Sequence, residues 1–464
     1  MLRHALPAAA LALAALAAAP PALANPFETT LANGMHVIVK EDRRAPSVVH
    51  MVWYGIGSMD EPDGVSGIAH MLEHMMFKGT EKLAPGEFNR RVAAAGGRDN
   101  AFTGRDYTAY FQQIPPDRLD EMMWMEADRL ANLVISEKEF LPEQQVVSEE
   151  RRMRTDDNPR SLLWEQLMAA AYTAHPYRRP IIGWMGDIQR YTVEDARRWH
   201  DTWYAPNNAR VVVVGDVDHR KVFALAEKHY GAIAAKPLPE RRISSEPPQR
   251  GTRQVIVEAP AELPYLTLAW HTPTLRDLKA DRDVYALQVL ASVLDGYDGA
   301  RLPRRLVREE QIAVSVDASY GGIARGPSLF TLGGTPVAGK SVAELETALR
   351  EEIARIARDG IEPAELQRVL TQTLAAEVYK RDSLMGQAME IGFLEAAGIS
   401  WRDEQTLLDG IRAVTAAEVQ DVARRYFGDA TLTRAILDPQ PLDTAANPKA
   451  GPFGATRPQL GSKQ

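Results

Sequence analysis

The chain has 464 residues, a formal net charge of −8 and no cysteine. Its 45% hydrophobic and 25% charged residues are the proportions of an ordinary globular protein, which excludes a largely disordered chain or a membrane-embedded one. The acidic excess, with both signs of charge interspersed, argues against a nucleic-acid partner. Without cysteine there can be no disulfide bond and no lipid anchor on an N-terminal cysteine. The length predicts two domains of about 200 residues each.

Residues 1–24 are typical of a secretory signal peptide. A basic start is followed by an alanine- and leucine-rich run over residues 5–19, and Ala22-Leu23-Ala24 places small residues before a cleavage site at Asn25. The run is short and breaks at two prolines, which favours a cleaved signal over a transmembrane anchor. We therefore expect a mature protein of a bacterial-type periplasm, or one secreted further, with no stable membrane anchor.

Two strands and a loop are predicted ahead of the central helix. Asn33-Gly34 is a typical hairpin turn, and the strand-like residues 35–39 follow it. Residues 47–54 are apolar nearly throughout, which is typical of a buried strand. The polar, glycine-bearing residues 55–64 then form the loop that leads into the helix.

The stretch from Ser66 to Thr80 predicts a helix with one apolar and one chemical face. Helical spacing places His70, Glu73 and His74 opposite an apolar stripe of Ile68, Met71, Leu72, Met75 and Met76. Two imidazoles four residues apart can bind one metal ion, and the carboxylate beside them can take a proton from metal-bound water. A helix with two hydrogen-bonded histidines and a surface glutamate is the alternative.

A strand is predicted over residues 99–111, after a helix near residues 86–95. Its threonine and aromatic residues favour a strand, and its asparagine, glycine and aspartate favour the edge of a sheet over the centre. An exposed edge close to a metal could hold an extended peptide through main-chain hydrogen bonds. A plain interior hairpin fits the same residues equally well.

A methionine-rich helix is predicted after Pro115-Pro116. Its stripe is interpreted as core and consists of Leu119, Met122, Met123, Met125, Glu126 and Leu130. Asp128, Arg129 and Asn132 are expected on the solvated side of the same helix.

A third metal ligand is predicted on the helix that begins near Pro142. Its buried face is expected to consist of Glu143, Val146, Val147, Glu150 and Met153. A carboxylate buried among apolar residues needs a metal, a cation or a proton. We assign Glu150 as the ligand and Glu143 as a carboxylate that orients a ligand or the water. Glu149 points elsewhere and is expected to pair with Arg151 or Arg152, and the alternative for the whole stretch is a surface charge run.

These motifs resemble a known family. The order His70-x-x-Glu73-His74, followed by Glu143 and Glu150, is similar to that of the pitrilysin/insulinase family of inverted zinc peptidases, which includes mitochondrial processing peptidase. The likeness covers roughly residues 28–440. In that family an edge strand binds the substrate, and the matching motif here implies a substrate-binding role for Asn100, Ala101 and Phe102.

An internal repeat predicts two homologous halves. Residues 192–204 align with residues 415–427, and each copy ends in aromatic residues, a short turn and an apolar strand. We therefore predict an α+β fold of two α/β-sandwich halves, each a mostly antiparallel sheet covered by helices. The predicted divisions are a zinc-binding catalytic domain at 25–240, a linker at 241–252, a homologous domain without the metal motif at 253–445, and a disordered tail at 446–464.

One departure from the family pattern bears on the partner. Single-chain family members place an arginine and a tyrosine in the second half to bind substrate; Arg308 is present here, but Val314 stands where the tyrosine is expected. In some members one subunit binds the zinc and a homologous subunit provides the arginine and the tyrosine. The resemblance therefore implies either a homodimer or a heterodimer with a homologous zinc-less subunit that carries the arginine and the tyrosine.

The function predicted from the sequence is a zinc-dependent endopeptidase that hydrolyses peptides or unfolded polypeptides. His70, His74 and Glu150 would hold one zinc ion per chain and leave a position for water, from which Glu73 takes a proton as general base. The resemblance implies a chamber that admits unfolded peptides. A peptide-binding or assembly subunit of the same fold, with little activity of its own, is the alternative.

Overall fold

The computed structural model describes residues 26–442, so the predicted signal peptide and the predicted tail at 446–464 lie outside the described residues. The first half of the described chain consists of β1 (Phe27–Thr30), β2 (His36–Glu41), β3 (Val48–Tyr54), α1 (Ile68–Met75), α2 (Glu87–Ala94), β4 (Arg98–Thr103), β5 (Thr108–Ile114), α3 (Leu119–Asn132), α4 (Glu137–Arg151), α5 (Pro159–Ala171), α6 (Met185–Ile188), α7 (Val193–Trp203), β6 (Ala209–Gly215) and α8 (His219–Tyr230).

The second half repeats this succession of strands and helices. It consists of β7 (Arg253–Pro260), β8 (Tyr265–Thr272), α9 (Arg282–Asp295), β9 (Ala313–Tyr320), β10 (Ser328–Pro336), α10 (Val342–Asp359), α11 (Pro363–Lys380), α12 (Leu384–Ala396), α13 (Glu404–Arg412), α14 (Ala416–Arg425) and β11 (Leu432–Gln440). Two π-helical turns, Arg152–Asp156 and Pro303–Glu309, follow α4 and precede β9.

The two sheets share one order of five strands, and the first sheet has β1 as an additional edge strand. The first has the strand order β1-β2-β6-β3-β5-β4 and the second the order β7-β11-β8-β10-β9. The pairs β2 with β6 and β7 with β11 are parallel, and the other neighbours are antiparallel. The predicted fold class, two α+β halves built on mostly antiparallel sheets, is confirmed.

The aligned segments of the internal repeat begin equivalent helices with the same cap. The hydroxyl of Thr192 accepts a hydrogen bond from the backbone N–H of Asp195, whose carboxylate accepts one from the Thr192 N–H. Thr415 and Glu418 form the same reciprocal pair at the start of α14. Each of these reciprocal pairs is a capping box, which satisfies two N–H groups that have no partner within the helix. The same local sequence pattern therefore begins the equivalent helix in both halves.

In each half, one helix packs on the sheet of the other half. α5 of the first half packs on β7 and β11, where Leu163 and Leu167 are buried against Ala435 and Leu437. α12 of the second half packs on β3 and β6. Its contacts form a buried cluster that includes Ile38, Trp53, Val212, Ala388 and Ile391. Because both exchanges bury apolar surface, the hydrophobic effect holds the halves together.

Residues 231–252 connect the halves without forming a helix or a strand, and the predicted linker at 241–252 lies within them. The carboxylate of Glu246 in this segment accepts hydrogen bonds from the N–H groups of Thr173, Ala174 and His175, at 2.8–2.9 Å. We propose this segment as the domain boundary. Among the described residues, no helix has the length and apolar character needed to cross a membrane.

The segment predicted as one strand over residues 99–111 is a hairpin. The chain reverses at Gly104, whose N–H donates to the carbonyl of Tyr107, so that β4 and β5 pair over six residues. Because β4 pairs only with β5, it forms the outer edge of the first sheet.

The solvated side predicted for α3 is wrong at two positions. Arg129 is 1% exposed and Asp128 is 3% exposed. The guanidinium of Arg129 pairs with Glu126, which is also buried, at 2.6 Å and lies over the rings of Phe88 and Tyr110. A charge next to its counterion and over aromatic faces can be buried where the sequence pattern alone indicates an exposed position.

The exchange of α12 depends on the absence of a side chain at Gly392, where a Cβ atom would overlap the indole of Trp53. We expect Gly392→Ala to destabilise the protein by about 1–3 kcal/mol because the packed interface cannot admit the methyl group. This loss should exceed the roughly 1 kcal/mol that alanine gains over glycine within a helix. Urea unfolding measures the difference. Gly428→Ala is the control, since Gly428 has φ −80° and no atom would lie within 4 Å of its Cβ. Equal stability of Gly392→Ala and the wild type would contradict this packing.

Candidate metal centre

Helix α1 is fixed at its N-terminus by a buried carboxylate. Glu61 accepts hydrogen bonds from the N–H groups of Gly67 at 2.8 Å and Ala69 at 2.9 Å, which have no partner within the helix. Gly67 adopts φ 88°, and a Cβ there would collide with the carbonyl oxygen of Ile182. Only glycine fits this combination of a left-handed backbone and a close neighbour.

A second set of hydrogen bonds holds the residue before Gly67. The hydroxyl of Ser66 donates to Asp187 at 2.5 Å, and its backbone N–H donates to the same carboxylate at 3.2 Å. The hydroxyl of Tyr191 donates to the Ser66 carbonyl. These buried bonds tie the start of α1 to the segment around α6, so the helix has a defined position and rotation.

The rotation of α1 separates its two faces as predicted. The apolar residues Ile68, Met71, Leu72 and Met75 are at most 1% exposed in the core of the first half. His70 and His74 lie one turn apart on the other side, with ring centroids 4.7 Å apart.

Glu150 on α4 meets both imidazoles. Its Oε2 lies 3.2 Å from Nε2 of His74 and 3.7 Å from Nε2 of His70, and the ligating atoms of the three residues all lie within 4.8 Å of one another. A tetrahedral zinc ion with ligands at about 2.0–2.1 Å requires neighbouring ligand atoms roughly 3.3–3.4 Å apart. The donor types, and the separations of Glu150 from the two imidazoles, therefore fit one zinc ion.

Glu143 lies two turns before Glu150 and contacts the other side of His74. Its carboxylate is 2.8 Å from Nδ1 of His74 and also pairs with Lys78. This contact fixes the tautomer of His74 and directs its Nε2 towards Glu150. By contrast, Nδ1 of His70 has no hydrogen-bond partner among the described residues.

The structure corrects two members of the face predicted for α4. Glu143 and Val147 are buried, but Val146 is 49% exposed and Met153 is 66% exposed. The α-helix ends at Arg151 and a π-helical turn follows, so the α-helical spacing used for Met153 does not apply there. Glu149 lies on the solvent side and pairs with Arg152.

The two imidazoles have different proton affinities. Burial lowers the pKa of His70 to about 4, so its ring is neutral near pH 7. Burial also acts to lower the pKa of His74, but the carboxylates of Glu143 and Glu150 outweigh it and raise the pKa to about 9. A metal ion that binds both rings therefore displaces a proton, and its affinity should fall with decreasing pH.

Glu73 lies beside the three possible ligands but is not one of them. Its carboxylate accepts a hydrogen bond of 2.6 Å from the hydroxyl of Thr103 at the end of β4. Burial raises the pKa of Glu73 above its usual value. A carboxylate of this kind is a stronger base than an exposed one, as a group that takes a proton from water must be.

A cavity of about 840 Å³ opens over the three possible ligands and Glu73. Asn100, Ala101 and Phe102 on the edge strand line it. Arg308 does not. It lies in the π-helical turn of the second half and donates to the carbonyl of Asp298. Val314 is 53% exposed at the start of β9.

Several residues of the site were not predicted from the sequence. Lys78 carried a signal, since it lies four residues after His74 and helical spacing would place it on the same face. Glu61 and Thr103 carried none, because their contacts join positions that are distant in space until the loop and β4 fold against α1. Arg105 and Arg154 also line the cavity.

Known proteins resemble this chain in both sequence and fold. A family model described as "Insulinase (Peptidase family M16)" matches residues 36–184, and one described as "Peptidase M16 inactive domain" matches residues 190–373. The zinc protease PqqE of Helicobacter pylori is 35% identical over 422 residues, which cover 88% of this chain and 92% of that protein. The chain belongs to peptidase family M16, the pitrilysin/insulinase family.

Solved structures of M16 proteins agree with this assignment. The crystal structure of a protease from Helicobacter pylori matches with a TM-score of 0.85 and 30% identity, over 89% of this M16 chain and 99% of that one. A structure named for the peptidase M16 inactive domain, from Pseudomonas fluorescens, has a TM-score of 0.80 at 16% identity and covers 90% of this chain and 99% of its own. The second likeness shows the fold alone. The relatives' names support a peptidase-type function and point to zinc.

Titration of Glu61 should be visible in the stability of the protein. Burial raises the pKa of Glu61 to about 8, from a usual value of 4.5. Between these pH values the folded protein retains a proton that the unfolded chain has lost, so the free energy of unfolding falls as the pH rises. In Glu61→Gln this fall should be smaller. Urea unfolding at about pH 5 and about pH 8 measures it, with the exposed Glu81→Gln as control. Identical pH dependence of Glu61→Gln and the wild type would refute the assignment.

Proposed function

We propose that this M16 chain is a zinc-dependent endopeptidase that hydrolyses peptides or unfolded polypeptides. The observation that supports it is the convergence of His70, His74 and Glu150 beside Glu73, on the floor of a cavity that an edge strand borders. If His70 and His74 had only a structural role as hydrogen-bonded residues, no third donor from α4 would be needed at metal-ligand distance from them.

The three proposed ligands come from two helices and differ in donor type. His70 and His74 provide neutral nitrogen donors from one rigid helix, and Glu150 provides an anionic oxygen from α4. Glu143 orients His74 through its Nδ1, and Lys78 balances the charge of Glu143. When bound, a zinc ion supplies Lewis-acid chemistry, in which water becomes a nucleophile near neutral pH and a peptide carbonyl is polarised.

Glu73 is the proposed general base. Its carboxylate takes a proton from the attacking water and passes it to the leaving amine, and the hydrogen bond from Thr103 holds the carboxylate in place. Because burial raises the pKa of Glu73, the protonated state needed for the second transfer is more accessible than for an exposed glutamate.

The edge of β4 is the proposed substrate-binding strand. An extended peptide can pair with the outer side of β4 at residues 100–102, because β5 occupies only its inner side. The N–H of Ala101 donates to Oδ1 of Asn100 at 2.9 Å and would exchange that partner for the peptide. Strand addition requires that the substrate be extended, so a folded protein is excluded unless a segment of it is unfolded. This geometry supports peptides and unfolded polypeptides as the substrate class.

The partner and the compartment are further proposals. Because Arg308 lies outside the cavity and Val314 provides no hydroxyl, a homologous zinc-less subunit would supply an arginine and a tyrosine in a heterodimer. A homodimer is the other arrangement, and its second copy would bring the same Val314. The same observation favours one alternative function, a peptide-binding or assembly subunit with little activity alone. We place the mature protein in the periplasm on the basis of residues 1–24, which lie outside the described residues.

Glu73→Gln should retain the metal and lose at least about a hundredfold in kcat, because it removes only the base. Quenched-fluorescent peptides measure the rate, and elemental analysis measures zinc. The same assay with a chelator separates enzyme from binding protein. Stoichiometric zinc without cleavage, even in the presence of a homologous subunit, would favour the assembly-subunit alternative. Full activity of Glu73→Gln would show that another group is the base.

Glu150→Gln should lower the zinc content, because an amide oxygen is a weaker ligand than a carboxylate. Glu149→Gln is the matched control on the adjacent position, where the side chain is 60% exposed and pairs with Arg152. Zinc-to-protein ratios after dialysis against metal-free buffer measure both variants. Unchanged zinc in Glu150→Gln, with loss in the control, would move the ligand assignment to Glu149.

A further inference from the structure

The cavity over the proposed metal site has an excess of cationic side chains. Four arginines line it, against three carboxylates, and the arginines are Arg105, Arg154, Arg160 and Arg179. The carboxylates belong to Glu73, Glu150 and Glu165. Two of them are assigned to the metal and the proton transfer, and Glu165 pairs with the buried Arg151 at 2.8 Å. The lining therefore provides little counter-charge for its arginines.

Two of the arginines are paired within the protein. Arg154 lies 2.9 Å from Oε1 of Glu150, and Arg179 lies 2.9 Å from Asp63. Arg160 contacts no carboxylate within ion-pair distance among the described residues. It donates to the hydroxyl of Thr335 at 2.9 Å and lies over the ring of Tyr265.

Arg105 is the least satisfied of the four. It has no carboxylate within ion-pair distance in the described part of the chain, and its guanidinium lies 5.4 Å from the centroid of the Tyr177 ring. Its Nε is buried and has no hydrogen-bond partner. Because the buried Nε is closed to an incoming ligand, the Nη groups are the ones that would bind a carboxylate, and in a half-buried guanidinium they gain more from it than fully hydrated groups do.

The position of Arg105 relates it to the bond that is cleaved. Thr103 contacts the proposed base Glu73, and Arg105 follows it by two residues, at the turn between β4 and β5. At about 3.3 Å per residue, a peptide paired with β4 would bring a side chain near Arg105 roughly two residues from the scissile bond. The neighbouring lining is apolar and includes Phe102, Trp164 and Ile182.

We propose that the cavity selects peptides that carry a carboxylate, with Arg105 as its main counterion and Arg160 as a second. The carboxylate belongs to an aspartate or glutamate about two residues from the cleaved bond, or to the C-terminus of a short peptide. This inference rests on the proposed peptidase function, since it assigns the substrate class of that same cavity.

The test compares matched peptides that contain Glu, Gln or Lys at each position near the cleavage site. In the wild type, Glu should exceed Gln by at least about tenfold in kcat/KM at one position, because the bond to the guanidinium is charge-assisted. Arg105→Gln should abolish this preference, Arg105→Lys should retain part of it, and Arg105→Glu should favour the Lys peptide. Thermal unfolding verifies that each variant is folded. Arg118→Gln, a substitution on the surface outside the cavity lining, is the control and should leave the preference unchanged.

Two further arms identify the source of the carboxylate. Peptides with a free C-terminus are compared with the corresponding amides at constant internal sequence. A loss confined to the amides assigns the C-terminal carboxylate, and a loss confined to the Glu→Gln peptides assigns the side chain. Either result supports the proposal. Equal kcat/KM for all the peptides overturns it.

Binding separates this inference from the proposed function. Fluorescence anisotropy with Glu73→Gln measures the affinity for labelled Glu and Gln peptides without turnover. Tighter binding of the Glu peptide without cleavage by the wild type supports the carboxylate site and contradicts the peptidase. Cleavage by the wild type with equal affinities and equal rates for the two peptides leaves the peptidase standing and overturns the carboxylate site.

Discussion

The packing of α1 against α4 is the interaction on which the rest of the site depends. His74 lies between two carboxylates of α4, with Glu143 at its Nδ1 and Glu150 at its Nε2. These two residues are seven positions apart, which is about two helical turns and 10.5 Å along the axis. One imidazole can reach both only if the helices cross at one position and rotation. The proposed metal site is therefore a property of the helix packing and not of either helix alone.

That packing is connected to the contact between the halves. Asp60, whose side chain is 1% exposed, pairs with Arg325 of the second half at 2.9 Å and with Arg241 of the connecting segment at 3.2 Å. The next residue, Glu61, caps α1. A short buried segment thus joins the second half to the start of α1. Since breaking a buried ion pair is costly, this connection restricts how far the second half can move without disturbing α1.

The sequence predicted the parts of the site that depend on local periodicity. His70, Glu73 and His74 share a helix face at any tertiary arrangement. For residues 99–111 the composition favoured a sheet edge but left an interior hairpin equally open, and the structure has a hairpin whose first strand, β4, is the edge. The sequence did not predict contacts that depend on how distant elements meet. Arg129 is buried because aromatic rings from α2 and β5 cover it, and α5 and α12 exchange sheets, which no helical or strand period indicates. The position of Arg308 outside the cavity likewise depends on how the halves are arranged.

α1 differs from the corresponding helix of the second half, α9, in the residues that it buries. α9 buries an almost wholly apolar set, which includes Val284, Leu287, Leu290 and Val293. α1 gives one face to His70, Glu73 and His74, and so contributes less apolar burial. Groups of this kind are costly to bury without partners, so their place in the fold is sustained by the carboxylates of α4 and by the metal they would hold. The second half has no such cost and serves as the apolar support on which α5 of the first half packs.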